Sequence, residues 1–135
     1  MRISKAGLNL IKRFEGCSLT AYTCAAGVWT IGYGHTNGVK KGQKISKTQA
    51  NEYLKADVRR FEKAVDALGR KWSQGQYDAL VSFAFNCGEG NLKTLCKGRT
   101  AKVIAEKMVL YCKAGGKVNQ GLKDRREAER RMFLG

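Results

Sequence analysis

Proline is absent from all 135 residues, histidine occurs once, and carboxylates number 11 against 26 lysines and arginines. Without proline, every sharp turn must rest on Gly, Asn or Asp, and 16 glycines are available for that purpose. The five cysteines (Cys17, Cys24, Cys87, Cys96, Cys112) form no C-x-x-C unit, which argues against a zinc site, and no metal or cofactor is expected. An odd number of thiols cannot all pair within one chain. No apolar run approaches the ~20 residues that cross a bilayer. The opening Met1-Arg2-Ile3-Ser4-Lys5-Ala6-Gly7 has no apolar stretch behind its basic residue, so a secretory signal is not expected. Reduced thiols, most of them small core residues, follow from that reading.

The shortage of acid leaves a net charge of +15. A charge that large implies a polyanionic partner or surface. Nucleic acid is one such partner. A bacterial envelope, with carboxylates on its peptide stems and phosphates on its lipids and teichoic acids, is another. No zinc finger or RNP-type signature is present and the basic residues are spread along the chain, so specific nucleic-acid recognition is not expected. Any affinity for DNA should be weak and lost with moderate salt. A hydrophobic fraction of 43% suffices for a core and excludes disorder. The length is that of one domain, 1–135, with room for two small lobes around a shared helix.

The pattern predicts an α+β protein. Ser4 is a plausible N-cap for a helix over 4–15, with Leu8, Ile11 and Glu15 at helical spacing and Gly16 at the C-terminal cap. A small sheet lobe over about 17–45 follows. Within it Trp29-Thr30-Ile31-Gly32-Tyr33-Gly34-His35 alternates, with Trp29, Ile31, Tyr33 and His35 on one face and Thr30, Gly32 and Gly34 on the other. Ser46-Lys47-Thr48-Gln49 is a capping box opening a long connecting helix over about 46–68, with the stripe Leu54, Val58, Phe61, Val65, Leu68. A helical lobe over about 70–135, packed with the N-terminal helix, completes the chain. Its signals are a second capping box at Ser73–Gln76, a cap at Thr100 before Ile104, Met108 and Tyr111, a break at Gly115-Gly116, and a basic helix from about Leu122 to Phe133.

Glu15 stands out for chemistry. It closes its helix at the negative end of the dipole and one turn past Ile11 on the apolar side. Both placements disfavour the carboxylate form, which suits a general acid that protonates a glycosidic oxygen. From the helix alone, an ordinary exposed glutamate reads the same way. The glycines beside Thr30 would leave it bare over an open groove, where it could hold a water or a substrate hydroxyl. A plain hairpin with glycines for twist is the competing reading. His35, on the opposite face, reads as a structural hydrogen-bonding residue.

Phe14-Glu15-Gly16, Ala21-Tyr22-Thr23-Cys24 and Gly27-Val28-Trp29-Thr30-Ile31-Gly32-Tyr33-Gly34-His35-Thr36 together resemble the phage lysozymes of glycoside hydrolase family 24. That family carries a Glu, an Asp nine residues on, and a Thr six residues further. Glu15, Cys24 and Thr30 fall at those spacings. The resemblance continues through Ala79–Gly88, Ala114–Lys117 and Gly121–Arg126. It implies a two-lobed lysozyme fold with the cleft between lobes, and cleavage of the β-1,4 bond between N-acetylmuramic acid and N-acetylglucosamine with inversion. It further implies substrate contacts from Thr36, Phe85, Asn86 and Thr94, and an Arg125 that pairs with the catalytic glutamate and opposes an upward shift of Glu15. A monomer that waits in the host cytoplasm until a holin opens the route to the wall is also implied.

The departure is Cys24, where better-known members have Asp. A neutral thiol is a poor base, whereas a thiolate could act. Three roles stay open: orienting or activating water with Thr30, covalent nucleophile with retention, or no part in catalysis. Pairing of Cys24 with Cys17, holding the enzyme inactive until reduced, is a further alternative. A lytic transglycosylase, which needs no second carboxylate, and a weakened cationic wall-binding module are the competing functions. The basic helix from Lys123 to Arg131 reads as a solvated face, or as one that holds the protein against an anionic envelope.

Overall fold

The computed structural model describes residues 1–135. It has six helices and two two-stranded antiparallel sheets, in the order α1 (Lys5–Glu15), β1 (Ser18–Thr23), β2 (Trp29–Gly32), α2 (Lys47–Asp66), α3 (Gln74–Cys87), α4 (Glu89–Cys96), α5 (Ala101–Met108), β3 (Lys113–Ala114), β4 (Lys117–Val118) and α6 (Gln120–Leu134). The class is α+β with a helical majority, as expected. No helix is long and apolar enough to cross a membrane. Two compact units are present, one of Lys12–Arg59 and one of Met1–Ile11 with Arg60–Gly135.

In the first unit β1 pairs with β2 in the register Tyr22↔Thr30 and Thr23↔Trp29, then slips at a bulge before Ser18↔Gly32. The expected alternation through His35 does not continue as a strand. β2 ends at Gly32, and Tyr33-Gly34 turn the chain back, so that Ile31 and His35 exchange both backbone hydrogen bonds at 2.9 Å. Gly32 and Gly34 have φ of +65° and +80°, a region side chains rarely enter. The Ser46 capping box forms, with the Gln49 amide donating to Oγ at 3.1 Å and the Ser46 amide donating to Oε1 at 2.9 Å. Leu54 and Val58 of the α2 stripe are buried, together with Ile31, Tyr33, Ile45 and Ala50.

The second unit is built around α3. Every residue from Tyr77 to Ala84 is buried, so the helix is surrounded on all faces, and α4 and α6 pack directly against it. Each fully buried Leu, Val or Phe here contributes about 1.5–3 kcal/mol. Ser73 and Thr100 cap α3 and α5 as expected, and Ser4 accepts from the Gly7 amide at 3.3 Å. Helix α4 has no counterpart among the sequence expectations, nor does the β3–β4 hairpin around Gly115-Gly116. The buried carboxylates of this unit are partnered, while the Trp72 indole nitrogen is buried without a hydrogen-bond acceptor. Asp78 accepts from the Ser4 amide at 2.9 Å and from Gln74 Nε2 at 2.8 Å. Glu62 accepts from the Ile3 amide at 2.7 Å and pairs with Arg2 at 3.0 Å.

Two expectations are corrected. Helix α6 is basic and solvated only in part: Lys123 and Arg131 are exposed, whereas Arg125 and Arg126 are buried, each one turn from the buried Glu129 that pairs with both. Most cysteines are not core residues. All five thiols are free; Cys96 is buried, Cys17 is exposed, and the other three are half-buried.

Candidate functional site

Glu15 ends α1, and Gly16 (φ +68°) closes the helix by donating its amide to the Lys12 carbonyl at 3.0 Å. The half-buried Glu15 carboxyl rests against the backbone of Gly34. A Cβ placed on Gly34 would stand 3.2 Å from Glu15 Oε1. Gly34 therefore serves Glu15 and not Thr30, which corrects the reading of the two strand glycines. Gly32 is covered by Ala50 and Ile45, whose nearest atoms lie 3.4 and 3.5 Å from a Cβ at that position.

Thr30 is buried, at 4% exposure, and does not stand bare over a groove. Its hydroxyl donates to the Val28 carbonyl at 3.0 Å. Cys24 leads the turn that joins the strands, donating its amide to Val28 O at 2.9 Å while its carbonyl accepts from Gly27 at 2.8 Å. Hydrogen bonds from the Val28 and Ala26 amides, with a further one from the Thr30 side chain, hold the Cys24 thiol below its ordinary value of 9.0 against a smaller opposing effect of burial. The hydroxyl of Thr30 has one proton, which either the Val28 carbonyl or a Cys24 thiolate can receive. The tight turn thus turns two backbone amides and a hydroxyl toward one sulfur.

His35 stacks on Tyr53, with ring centroids 4.2 Å apart, and bonds Asp57 Oδ2 through Nδ1 at 2.8 Å. It fastens the turn after β2 to α2. Thr36 follows it in an exposed loop.

The remaining sequence-predicted residues lie in the helical unit. Phe85 is half-buried and packs edge-on to Phe61 at 5.5 Å. Asn86 is exposed at the end of α3, and its Oδ1 accepts from Arg126. Thr94 is exposed on α4 and donates to the Gly90 carbonyl at 3.1 Å. Arg125 is buried, paired with Glu129 at 3.2 Å and donating to the Ser82 carbonyl, also at 3.2 Å. Sequence reasoning missed Arg126, which bonds Glu129 Oε1 and the Tyr111 carbonyl, the latter at 3.1 Å. The signal available was the Arg-Arg-x-x-Glu spacing, which places both arginines one turn before the same glutamate.

A family model described as phage lysozyme matches residues 12–129. An endolysin of Bacillus phage PZA is 45% identical over 98% of the chain, and the chain spans 55% of that relative's length. Among solved structures, an endolysin from Escherichia coli O157:H7 phage FAHEc1 superposes with a TM-score of 0.89 at 40% identity, covering 99% of this chain and 94% of that one. The muramidase domain of SpmX from Asticaccaulis excentricus superposes with the same score at 34% identity, covering 99% and 98%. With the match running from before Glu15 through Cys24 and Thr30 to Glu129 of α6, the chain belongs to the phage lysozyme family.

Proposed function

We propose that the protein is a peptidoglycan glycosidase that hydrolyses the β-1,4 bond between N-acetylmuramic acid and N-acetylglucosamine and so lyses the host at phage release. The observation that carries this reading is the convergence in one unit of the half-buried Glu15 carboxyl against Gly34 and the Cys24–Thr30 pair, in a chain of this family. Glu15 donates its proton to the glycosidic oxygen as the C1–O bond breaks. A water at the half-buried Cys24, whose sulfur Thr30 orients, attacks C1 from the opposite face, and its proton passes to the Cys24 thiolate, giving inversion. Thr36, Phe85, Asn86 and Thr94 contact the glycan. The protein acts as a monomer, waits in the host cytoplasm and reaches the wall when a holin opens the membrane. Its cationic surface favours the anionic envelope.

The test is clearing of outer-membrane-permeabilised Gram-negative cells in reducing buffer by the wild type and Glu15→Gln. The wild type should clear, and the variant should be slower by about 10²–10⁴-fold. Equal clearing would mean that cationic membrane damage, not Glu15, causes lysis. If neither clears while both sediment with purified sacculi, the chain is a wall-binding module. The thiol at position 24, in place of a second carboxylate, favours one alternative chemistry, a lytic transglycosylase. Mass spectrometry separates the two, because hydrolysis leaves a reducing end and transglycosylation leaves a 1,6-anhydro end one water lighter.

A further inference from the structure

The helical unit holds a second concave feature that the proposed hydrolysis does not use. A cavity of about 740 Å³ opens between the C-terminal end of α2 and the α4–α5 connection, lined by Arg70, Lys93, Lys97 and Arg99 over a floor that includes Leu68 and Cys96. No carboxylate lines it. Two of the four cations are held in place. Arg70 donates Nη1 to the Arg99 carbonyl at 2.8 Å and stacks on Trp72 at 4.6 Å, while Arg99 donates to the Leu95 carbonyl at 3.2 Å. Lys93 and Lys97 are exposed and stand one turn apart at the end of α4. Arg70 reaches the floor, donating Nη1 to the Cys96 carbonyl at 3.4 Å; burial pushes the Cys96 thiol up to about 11, against the pull of Arg70 and then Arg99. Thr100, the N-cap of α5, lines the same cavity and adds the positive end of that helix dipole. Arg99 also borders a smaller neighbouring hollow with Lys107 and Leu110, a leucine that is 62% exposed.

Four uncompensated cations, two of them preorganised forks, fit an oxyanion with several acceptor oxygens. The uncharged floor fits the carbon body attached to it. We propose that this cavity is a binding site for the phosphate of a glycerol phosphate ester, either soluble or presented as a phospholipid headgroup. The site stands apart from the glycosidase reading and survives or fails independently of it.

The test titrates ¹⁵N-labelled protein with glycerol 3-phosphate at about 150 mM salt, where exposed long-range charge effects are largely screened. In parallel, sedimentation with vesicles of phosphatidylcholine alone or with about a third phosphatidylglycerol is measured. Resonances of Arg70, Arg99 and Thr100 should move with the ester. Lys93→Gln/Lys97→Gln should weaken binding about tenfold or more, whereas Lys40→Gln/Lys41→Gln, with the same net charge in an exposed loop, should weaken it less than about twofold. Response to the ester without vesicle binding identifies a soluble ligand, and vesicle binding with the same variant pattern identifies a headgroup. Equal losses in the two double variants, or no movement of the cavity resonances with either probe, would overturn the site.

Discussion

The two units divide the work of this protein unequally. In the helical unit, α3 is buried from Tyr77 to Ala84, and even its charges are internal, with Arg125, Arg126 and Glu129 paired at or below 3% exposure. In the unit of residues 12–59 the strands are thin. Leu19, Tyr22 and Val28 are 41%, 42% and 45% exposed, and β1 meets its partner through a bulge. The proposed acid and its Cys24–Thr30 partners lie in this lightly packed unit. Regions with few buried apolar contacts open at lower free energy, so the comparison teaches that stability and chemistry can be perturbed separately.

The largest expected effect breaks the well-packed side. Glu129→Ala leaves the Arg125 and Arg126 guanidiniums buried without their shared carboxylate, and Ser82 loses an acceptor at 2.5 Å. Removing one partner of a buried charge network costs about 3–5 kcal/mol. Urea denaturation should show that loss in a midpoint shift. A loss below about 1 kcal/mol would mean that the network adds nothing beyond packing.

A smaller effect sharpens the chemical side. The Cys24 thiol is held below 9.0, so it is protonated below that lowered value and a thiolate above it. If the thiolate takes the water's proton, clearing activity rises with pH through the lowered value. Cys24→Ser should remove this rising limb and slow clearing about 10²-fold, with little change in melting temperature. Cys24→Asp should move the limb toward the carboxylate range near ~4. A Cys24→Ser profile that keeps the limb at the same pH would assign it to another group and make Cys24 passive.

What could be read from the sequence was the chemistry that acts within one turn. The caps at Ser46, Ser73 and Thr100 each need only a side-chain oxygen and an amide three residues on, and each forms. Helix α4 escaped because Gly88, at φ +90°, ends α3 and starts α4 with no side-chain cap to mark the join. The end of β2 escaped because alternation is blind to a turn: Tyr33 and His35 keep the period of two while the chain reverses between them. The burial of Arg125 and Arg126 depends on what α6 packs against, which composition does not state. Glu15, Cys24 and Thr30 were legible as a spacing. That Thr30 is covered, and that Cys24 gathers amides from its own turn, depended on the register of the hairpin.

The least disruptive change tests the one contact that the sequence assigned to the wrong partner. Gly32 and Gly34 have nearly the same positive φ, so alanine at either costs about 1–2 kcal/mol of local strain. Their surroundings differ. At Gly32 the added methyl meets Ala50 and Ile45 at 3.4 and 3.5 Å, an ordinary packing distance; at Gly34 it meets Glu15 Oε1 at 3.2 Å, close enough that the carboxyl must give slightly. Both variants should therefore lose similar stability in thermal melts. Only Gly34→Ala should lose activity beyond that loss, by about tenfold, or ~1.4 kcal/mol of transition-state stabilisation. Matching activities for the two alanine variants would show that Glu15 does not need the space Gly34 leaves, and that the glycine is kept for its backbone alone.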